Sequence, residues 1–294
     1  MILVTGGTGL VGGELIRRLS ARGVPLRALV RNRGKAAALE ALPGVTVVEG
    51  DMARPDSLSG PLAGVTRAML ISTSAPNMLD VQSNLVAAAR EAGVRHMVKL
   101  SGVIAEVDSP FRFARMHGEI ERRIQASGLQ HTFLRPGEFM HSYFRALPAI
   151  LSHGELRLPM AGERIASIDV GDIAEAAARV LTAPGHEGKT YTLTGPESLS
   201  MSEVAERLSA ATGKTIRYVA ADPEGVRQAQ LAAGVPPFIA DALFELFAER
   251  RKGREAKVWQ GLAELDVRPT PLAEFAARHA PVFRGERPPP GATA

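Results

Sequence analysis

Three glycines spaced three apart, directly behind an apolar run, restrict this chain more than any other feature. Residues 5–12 read Thr5-Gly6-Gly7-Thr8-Gly9-Leu10-Val11-Gly12; they follow Ile2-Leu3-Val4, and a helical pattern through Leu10, Leu15, Ile16 and Leu19 begins within them. The first glycine permits a tight turn, the second lets backbone approach a pyrophosphate, and the third lets helix pack closely on strand. A helix starting there aims its free N–H groups, and the positive end of its dipole, at an anion in the turn. Gly6, Thr8, Gly9, Leu10, Val11 and Gly12 are therefore the expected contacts to a dinucleotide. A chain with 29 glycines produces chance matches, and a purely structural turn is the alternative; the strand before and the helix after favour the cradle. A nucleoside-triphosphate loop is excluded, because Gly13-Glu14 stands where Lys-Ser/Thr is needed, and Gly188-Lys189-Thr190 and Gly213-Lys214-Thr215 have Ala183 and Leu208 at the leading glycine.

The rest of the first half repeats this unit. Apolar runs at Leu26–Val30, Val45–Val48, Ala68–Ile71, Met97–Leu100 and Thr132–Leu134 alternate with helical patterns. Continuous apolar strands joined by helices imply a parallel sheet covered on both faces, the doubly wound α/β architecture of the Rossmann type. After Pro136-Gly137 the pattern loosens. A polar, Pro/Gly-containing stretch runs from Ser152 to Arg164, and a helix opens at Asp169 or Asp172 and continues to about Leu181. Thr190–Leu193 and Ile216–Val219 read as strands, Ser200–Ala211 as a helix, and helical segments fill most of Glu224–His279. The expected organisation is a dinucleotide-binding domain over residues 1–150 and a smaller, mainly helical substrate-covering region over 151–280. A disordered tail is expected over 281–294, where Arg287-Pro288-Pro289-Pro290-Gly291 lies.

The end of the second strand addresses which dinucleotide is held. An acidic residue about 20 positions past the last glycine would hydrogen-bond the free ribose 2′-hydroxyl of NAD. Here the stretch is Arg31-Asn32-Arg33-Gly34-Lys35, with no carboxylate. The planar fork of Arg31 suits phosphate oxygens, and Lys35 adds a point charge. NADP(H) is the preferred cofactor, with NAD(H) left open; a solvated basic loop is the alternative.

These residues together resemble the short-chain dehydrogenase/reductase superfamily, specifically its atypical NmrA-like branch, which includes NADPH:quinone oxidoreductases and cofactor-sensing regulators. The resemblance rests on Val4-Thr5-Gly6-Gly7-Thr8-Gly9, Val30-Arg31-Asn32, Gly50-Asp51, Lys99-Leu100-Ser101 and Leu134-Arg135-Pro136-Gly137. Asp169-Val170-Gly171-Asp172-Ile173-Ala174 and Tyr191-Thr192-Leu193-Thr194-Gly195-Pro196 extend it over nearly the whole chain. It implies that Asp51 and Met52 lie against adenine, that Asn32 joins Arg31 and Lys35, and that Ser72, Thr73 and Ser74 sit beside the nicotinamide-side ribose or the phosphates. A polar loop capping the next helix is the other reading of Ser72–Ser74. Lys99 would contact cofactor or make a salt bridge, and Phe139, Met140 and Tyr143 would line an apolar substrate pocket or be core.

One departure shapes the chemistry. Most reductases of the superfamily carry Tyr-x-x-x-Lys on the helix after the fifth strand; here Phe113 and His117 hold those positions. Tyr143, Tyr191 and Tyr218 are followed four residues on by Leu147, Gly195 and Asp222, so the pair exists nowhere else. Relatives of the isoflavone-reductase type have Lys at the position of His117, and histidine donates or relays a proton near neutral pH, making His117 the candidate catalytic residue. Ser142 stands where relatives often show Asn. Quinones suit such a site, since hydride transfer to an electron-poor ring leaves a delocalised anion that water can protonate. The expected function is NADPH-dependent reduction of a quinone or related conjugated carbonyl compound. The alternative is a non-catalytic NADP(H)-binding redox sensor acting through a protein partner.

Composition sets the remaining bounds. Cysteine is absent, which removes thiolate nucleophiles and Cys-ligated zinc, and the seven histidines show no metal-binding spacing. No run approaches the roughly 18 apolar residues of a membrane span, and no signal segment is evident, so a cytoplasmic protein without membrane association is expected. The net charge of +4 raises nucleic acid as a partner. The one local excess, Arg250, Arg251, Lys252, Arg254 and Lys257, reads instead as a solvated helix face, and no nucleic acid is expected. A small-molecule substrate is the expected partner, with the oligomeric state open.

Overall fold

The structure, a computed structural model, describes residues 1–290. Its strands are β1 (Ile2–Val4), β2 (Leu26–Val30), β3 (Val45–Glu49), β4 (Arg67–Leu70), β5 (His96–Leu100) and β6 (Gln130–Pro136), followed by β7 (Glu155–Leu158) and β8 (Arg164–Ile165). Then come β9 (Thr190–Leu193), β10 (Leu199–Ser200) and β11 (Arg217–Ala220). Seven of them form one parallel sheet in the order β3-β2-β1-β4-β5-β6-β9. The order reverses between β1 and β4, and in such sheets ligands bind at the carboxyl ends of the strands at that point.

Burial explains why these runs became central strands. Leu3, Val4, Leu26, Ala28, Met69, Leu70, Met97 and Val98 are buried, as both faces are covered by helices. The first helix, Leu10–Ala21, turns Val11, Leu15, Ile16 and Leu19 onto the sheet and keeps Arg17 in solvent. Beside it lies the helix Val170–Thr182, N-capped by Asp169, whose carboxylate accepts from the Gly171 N–H at 2.6 Å. Its Ala174, Ala176, Ala177 and Ala178 are fully buried and allow close helix approach. Arg18 and Arg22 of the first helix both reach Glu175 of the second, at 3.1 and 2.5 Å.

The expected division at residue 150 needs correcting. β9 is the seventh strand of the main sheet, parallel to β6, and Ile168, Ile173, Leu193, Leu262, Leu265 and Val267 all belong to the sheet's own core. The smaller lobe is gathered from residues 140–165 and from parts of the chain from Leu199 onward, around a second core containing Tyr143, Leu156, Leu208, Phe275 and Phe283. The stretch 152–164, expected as polar connection, holds β7 and the start of β8, which pair with β11 and β10 respectively. The tail expected from residue 281 also starts too early. Ala280–Phe283 is a short helix whose Val282 and Phe283 are buried in the second core, while residues 291–294 of that tail lie outside the described residues. No helix among the described residues is long and apolar enough to cross a membrane.

Candidate functional site

An elongated cleft of about 620 Å³ runs over the carboxyl ends of β1, β2, β3 and β4. Its floor is the glycine turn. Gly6 has φ +65°, a conformation that L side chains rarely adopt, and its carbonyl accepts from the Gly9 N–H at 2.9 Å. A Cβ on Gly12 would stand 2.3 Å from that same carbonyl oxygen, so turn and helix touch as backbone on backbone. Thr5 secures the turn from below, its hydroxyl accepting from the Ile71 N–H at 2.7 Å and lying 2.7 Å from the Ile71 carbonyl. No side chain caps the first helix and its first turn carries no carboxylate, so its free amides face the cleft through Leu10, Val11 and Gly12. Thr8 lines the same floor.

Further along the cleft the residues divide. Arg31 lines it, is exposed, and has no hydrogen-bond or ion-pair partner among the described residues. Asn32 and Lys35 do not line it: the Asn32 side chain accepts from the Gly34 N–H at 2.8 Å in its own turn, and Lys35 points to solvent. Asp51 and Met52 form the wall beyond β3, where the Asp51 carboxylate accepts from the Ala53 N–H at 2.9 Å. Ser72 and Thr73 line the opposite wall, and Gln82 Nε2 donates to Ser72 Oγ at 2.7 Å. Ser74 is separated from them and faces a second pocket.

That second pocket, of about 570 Å³, joins the first at Leu10 and Phe139, which line both. Its walls are apolar and aromatic: Val103 and Ile104 after β5, Phe111 and Phe113 at the next helix, and Ile239, Leu243 and Leu246 from the helix Pro237–Arg250. The latter helix acts as a cover and is tied to the helix Arg112–Ala126, because Glu245 accepts from the Arg112 N–H at 2.9 Å in place of a cap and pairs with its guanidinium at 2.6 Å.

Polar and charged groups share the lining, Glu138, His141, Arg145 and Glu255 among them. His117, on the helix Arg112–Ala126, lines the pocket, and its Nδ1 lies 2.8 Å from Lys99 Nζ. Lys99 has no solvent exposure and does not line the cofactor cleft, which corrects the expected contact. Burial drives its ammonium down to about 7, against the opposing pull of Glu121. Burial, and then Lys99, hold the imidazolium form of His117 well below the usual range, so the ring is neutral. Ser101, which the sequence reading did not single out, lines the pocket at the end of β5 and donates to Glu121 at 2.5 Å; Glu121 also pairs with Arg135. Its place one residue past a strand end, before the helix bearing His117, was the available signal.

Met140 and Tyr143, expected beside Phe139, are core residues instead. The tight helix Met140–Ala146 turns them inward and brings His141, Ser142 and Arg145 to the pocket. The Tyr143 hydroxyl lies 3.0 Å from Ser167 Oγ, and burial pushes it up to about 12. None of the three tyrosines lines either pocket, so no phenol stands ready as an acid. The basic run is solvated at Arg251, Lys252, Arg254 and Lys257 but not at Arg250. Arg250 is buried between Glu138 and Glu255, 3.0 Å from the latter, while Lys252 and Arg254 pair with Glu249. No cluster of three potential metal ligands occurs among the described residues.

The residues present fit a dinucleotide: a cradle that a Cβ would fill, uncapped amides, and an unengaged guanidinium along one continuous cleft. Comparison with known proteins agrees with this geometry. The NmrA-like family model matches residues 1–276. An NAD(P)H azoreductase from Xenophilus azovorans is 40% identical over 96% of this chain and 99% of that protein. A (4-alkanoyl-5-oxo-2,5-dihydrofuran-3-yl)methyl phosphate reductase from Streptomyces griseus is 36% identical over 97% of this chain and 100% of that protein. The crystal structure of an Escherichia coli NADPH-dependent quinone oxidoreductase complexed with NADPH superposes with a TM-score of 0.86 at 33% identity, over 95% of this chain and 99% of the other. The chain belongs to the NmrA-like family.

Proposed function

We propose that the protein is an NADPH-dependent oxidoreductase that reduces a quinone or a related small conjugated carbonyl compound. The observation that carries this reading is the meeting of the two pockets at Leu10 and Phe139: the phosphate cradle ends where an apolar, aromatic pocket begins. When bound, the coenzyme supplies a hydride to the acceptor. The chain holds the diphosphate on the amides at Leu10–Gly12 and offers Arg31 to the 2′-phosphate. Asp51 and Met52 lie where adenine would rest, and Ser72 and Thr73 beside the ribose or phosphates. Phe111, Phe113 and Phe139 give a planar acceptor flat apolar walls that exclude water. His117 presents a neutral imidazole to the acceptor's oxygen. Relatives acting on an azo compound, an unsaturated lactone phosphate and a quinone support a conjugated acceptor.

Purified protein should oxidise NADPH in the presence of simple quinones, followed by loss of the reduced coenzyme's absorbance. Tight NADPH binding without turnover on quinones, enones or azo compounds would overturn the enzyme reading. Arg31→Glu should weaken NADPH binding by about 1–3 kcal/mol while leaving NADH binding unchanged, because only the former carries the phosphate the guanidinium faces. Calorimetric titration with each coenzyme checks this, and an equal loss for both would remove Arg31 from the site.

A further inference from the structure

We propose that Lys99 is the proton reservoir of the site, passing its proton through the His117 imidazole to the acceptor. The inference rests on the oxidoreductase reading above and names a residue that touches neither pocket.

An ammonium group at a strand position wholly closed to solvent is expensive unless something uses it. Lys99 lies between Val98 and Leu100 on β5, and its Nζ has two partners, His117 Nδ1 at 2.8 Å and the Leu100 carbonyl at 3.2 Å. No carboxylate is within ion-pair distance of it among the described residues. The charged groups around it are Glu121, from the helix of His117, and Arg135, from β6, and these two are paired with one another. Lys99 is thus not neutralised by a salt bridge, and its hydrogen bond goes to the single imidazole that reaches the pocket from that helix.

The charge state of Lys99 sets the direction of that bond and with it the tautomer. Lysine only donates when charged, so Nδ1 accepts and the ring proton sits on Nε2. Nε2 has no partner among the described residues, is not among the enclosed unpaired atoms, and belongs to a residue that lines the pocket. When the acceptor takes up two electrons, an O–H bond forms with the Nε2 proton as the Nε2–H bond breaks. Nδ1–H forms as Nζ–H breaks, leaving a neutral amine and a neutral imidazole in the other tautomer. After product leaves, a solvent proton enters at Nε2 and the Nδ1 proton returns to Lys99. A donor that titrates close to neutral pH is suited to such a cycle. The protonated pair is the active form, so kcat falls as pH rises through about 7.

The test uses the intact chain, as wild type, Lys99→Met and Lys99→Gln. In coenzyme-free protein, ¹⁵N NMR should show the wild-type His117 as the Nε2–H tautomer with Nδ1 accepting, changing state as the pair titrates near pH 7. Lys99→Met should lose that transition. In turnover with acceptors whose reduced anion is basic, Lys99→Met should lower kcat by roughly 10²-fold, flatten its pH profile and leave the acceptor's KM in place. Lys99→Gln keeps a donor to Nδ1, so it should restore the tautomer but not the rate; restoration of both would make Lys99 a positioning residue and overturn the proposal. An Nδ1–H tautomer in the wild-type protein below about pH 7, where Lys99 carries its proton, overturns it too, with no variant required. A wild-type protein that turns over no acceptor sinks the oxidoreductase reading instead, and the NMR transition still decides whether Lys99 and His117 share a proton.

Discussion

Gly12→Ala is expected to abolish coenzyme binding, with at least a 100-fold loss of affinity, or about 2.7 kcal/mol. The single added carbon would sit 2.3 Å from the Gly6 carbonyl oxygen and 2.7 Å from its carbon, both backbone atoms that cannot swing aside. Relief requires the first helix to move off the turn, which pulls the amides of Leu10, Val11 and Gly12 away from the diphosphate together. Overpacking of this kind also lowers stability by about 1–3 kcal/mol. Gly60→Ala serves as the control, since an added Cβ there meets nothing within 4 Å. Titration calorimetry and thermal melts on both variants check the result. Wild-type affinity in Gly12→Ala would show that the turn does not hold the phosphates.

The second large effect lies in the lining of the second pocket. Arg250→Met should destabilise the protein by about 3–5 kcal/mol, because it leaves Glu138 and Glu255 buried without their shared cation. Burial raises both carboxyls; at Glu138 the attraction of Arg250 and Arg145 reverses this and holds it below the usual range, while Glu255 remains raised. In the wild type, the Glu138 pairing stabilises above the ordinary carboxylate range and is lost as pH falls from there through the depressed folded value. Without Arg250 burial favours the protonated form of both groups, Glu138 keeping only Arg145 at 3.9 Å, so the deficit should be greatest at neutral pH and shrink on acidification towards pH ~5. Melting curves across that range check the sign. A deficit independent of pH would mean that lost packing, not uncompensated charge, is responsible. Replacing both glutamates by Gln in the Arg250→Met background should recover most of the loss.

What the sequence disclosed and what it hid follow a physical division. The glycine turn, the first six strands and the Asp169-capped helix are local: backbone geometry, hydrophobic period and capping chemistry act over a few residues. The strand at Thr190–Leu193 is visible as a strand, yet nothing near it says that its neighbour is β6, some sixty residues earlier. β7 is hidden for a similar reason, since Leu156 and Leu158 are its only apolar residues and its partner is β11. Within the site, parity decided Lys99. Successive strand residues point to opposite faces, so Leu100 lines the cofactor cleft and Lys99 lies beneath the helix of His117. Tight helical winding after Phe139 likewise buried Met140 and Tyr143 and presented His141 and Arg145, a choice that periodicity over seven residues does not reveal. The pocket wall from Pro237–Arg250 is legible as helix while its destination is not, because its docking is set by Arg112 and Glu245, more than a hundred residues apart.

The path of the chain between its two lobes has a consequence for its synthesis. The polypeptide leaves the sheet after β6, returns to lay down β9, leaves again, and comes back at Leu262–Val267 to seal the underside. While a nascent chain is shorter than about 190 residues, β6 is an open edge whose unpaired N–H and C=O groups invite a stray strand. Folding of the nucleotide-binding half therefore finishes only near the end of translation, and a gene fragment stopping between the lobes would encode an unsealed sheet, not a minimal binding module.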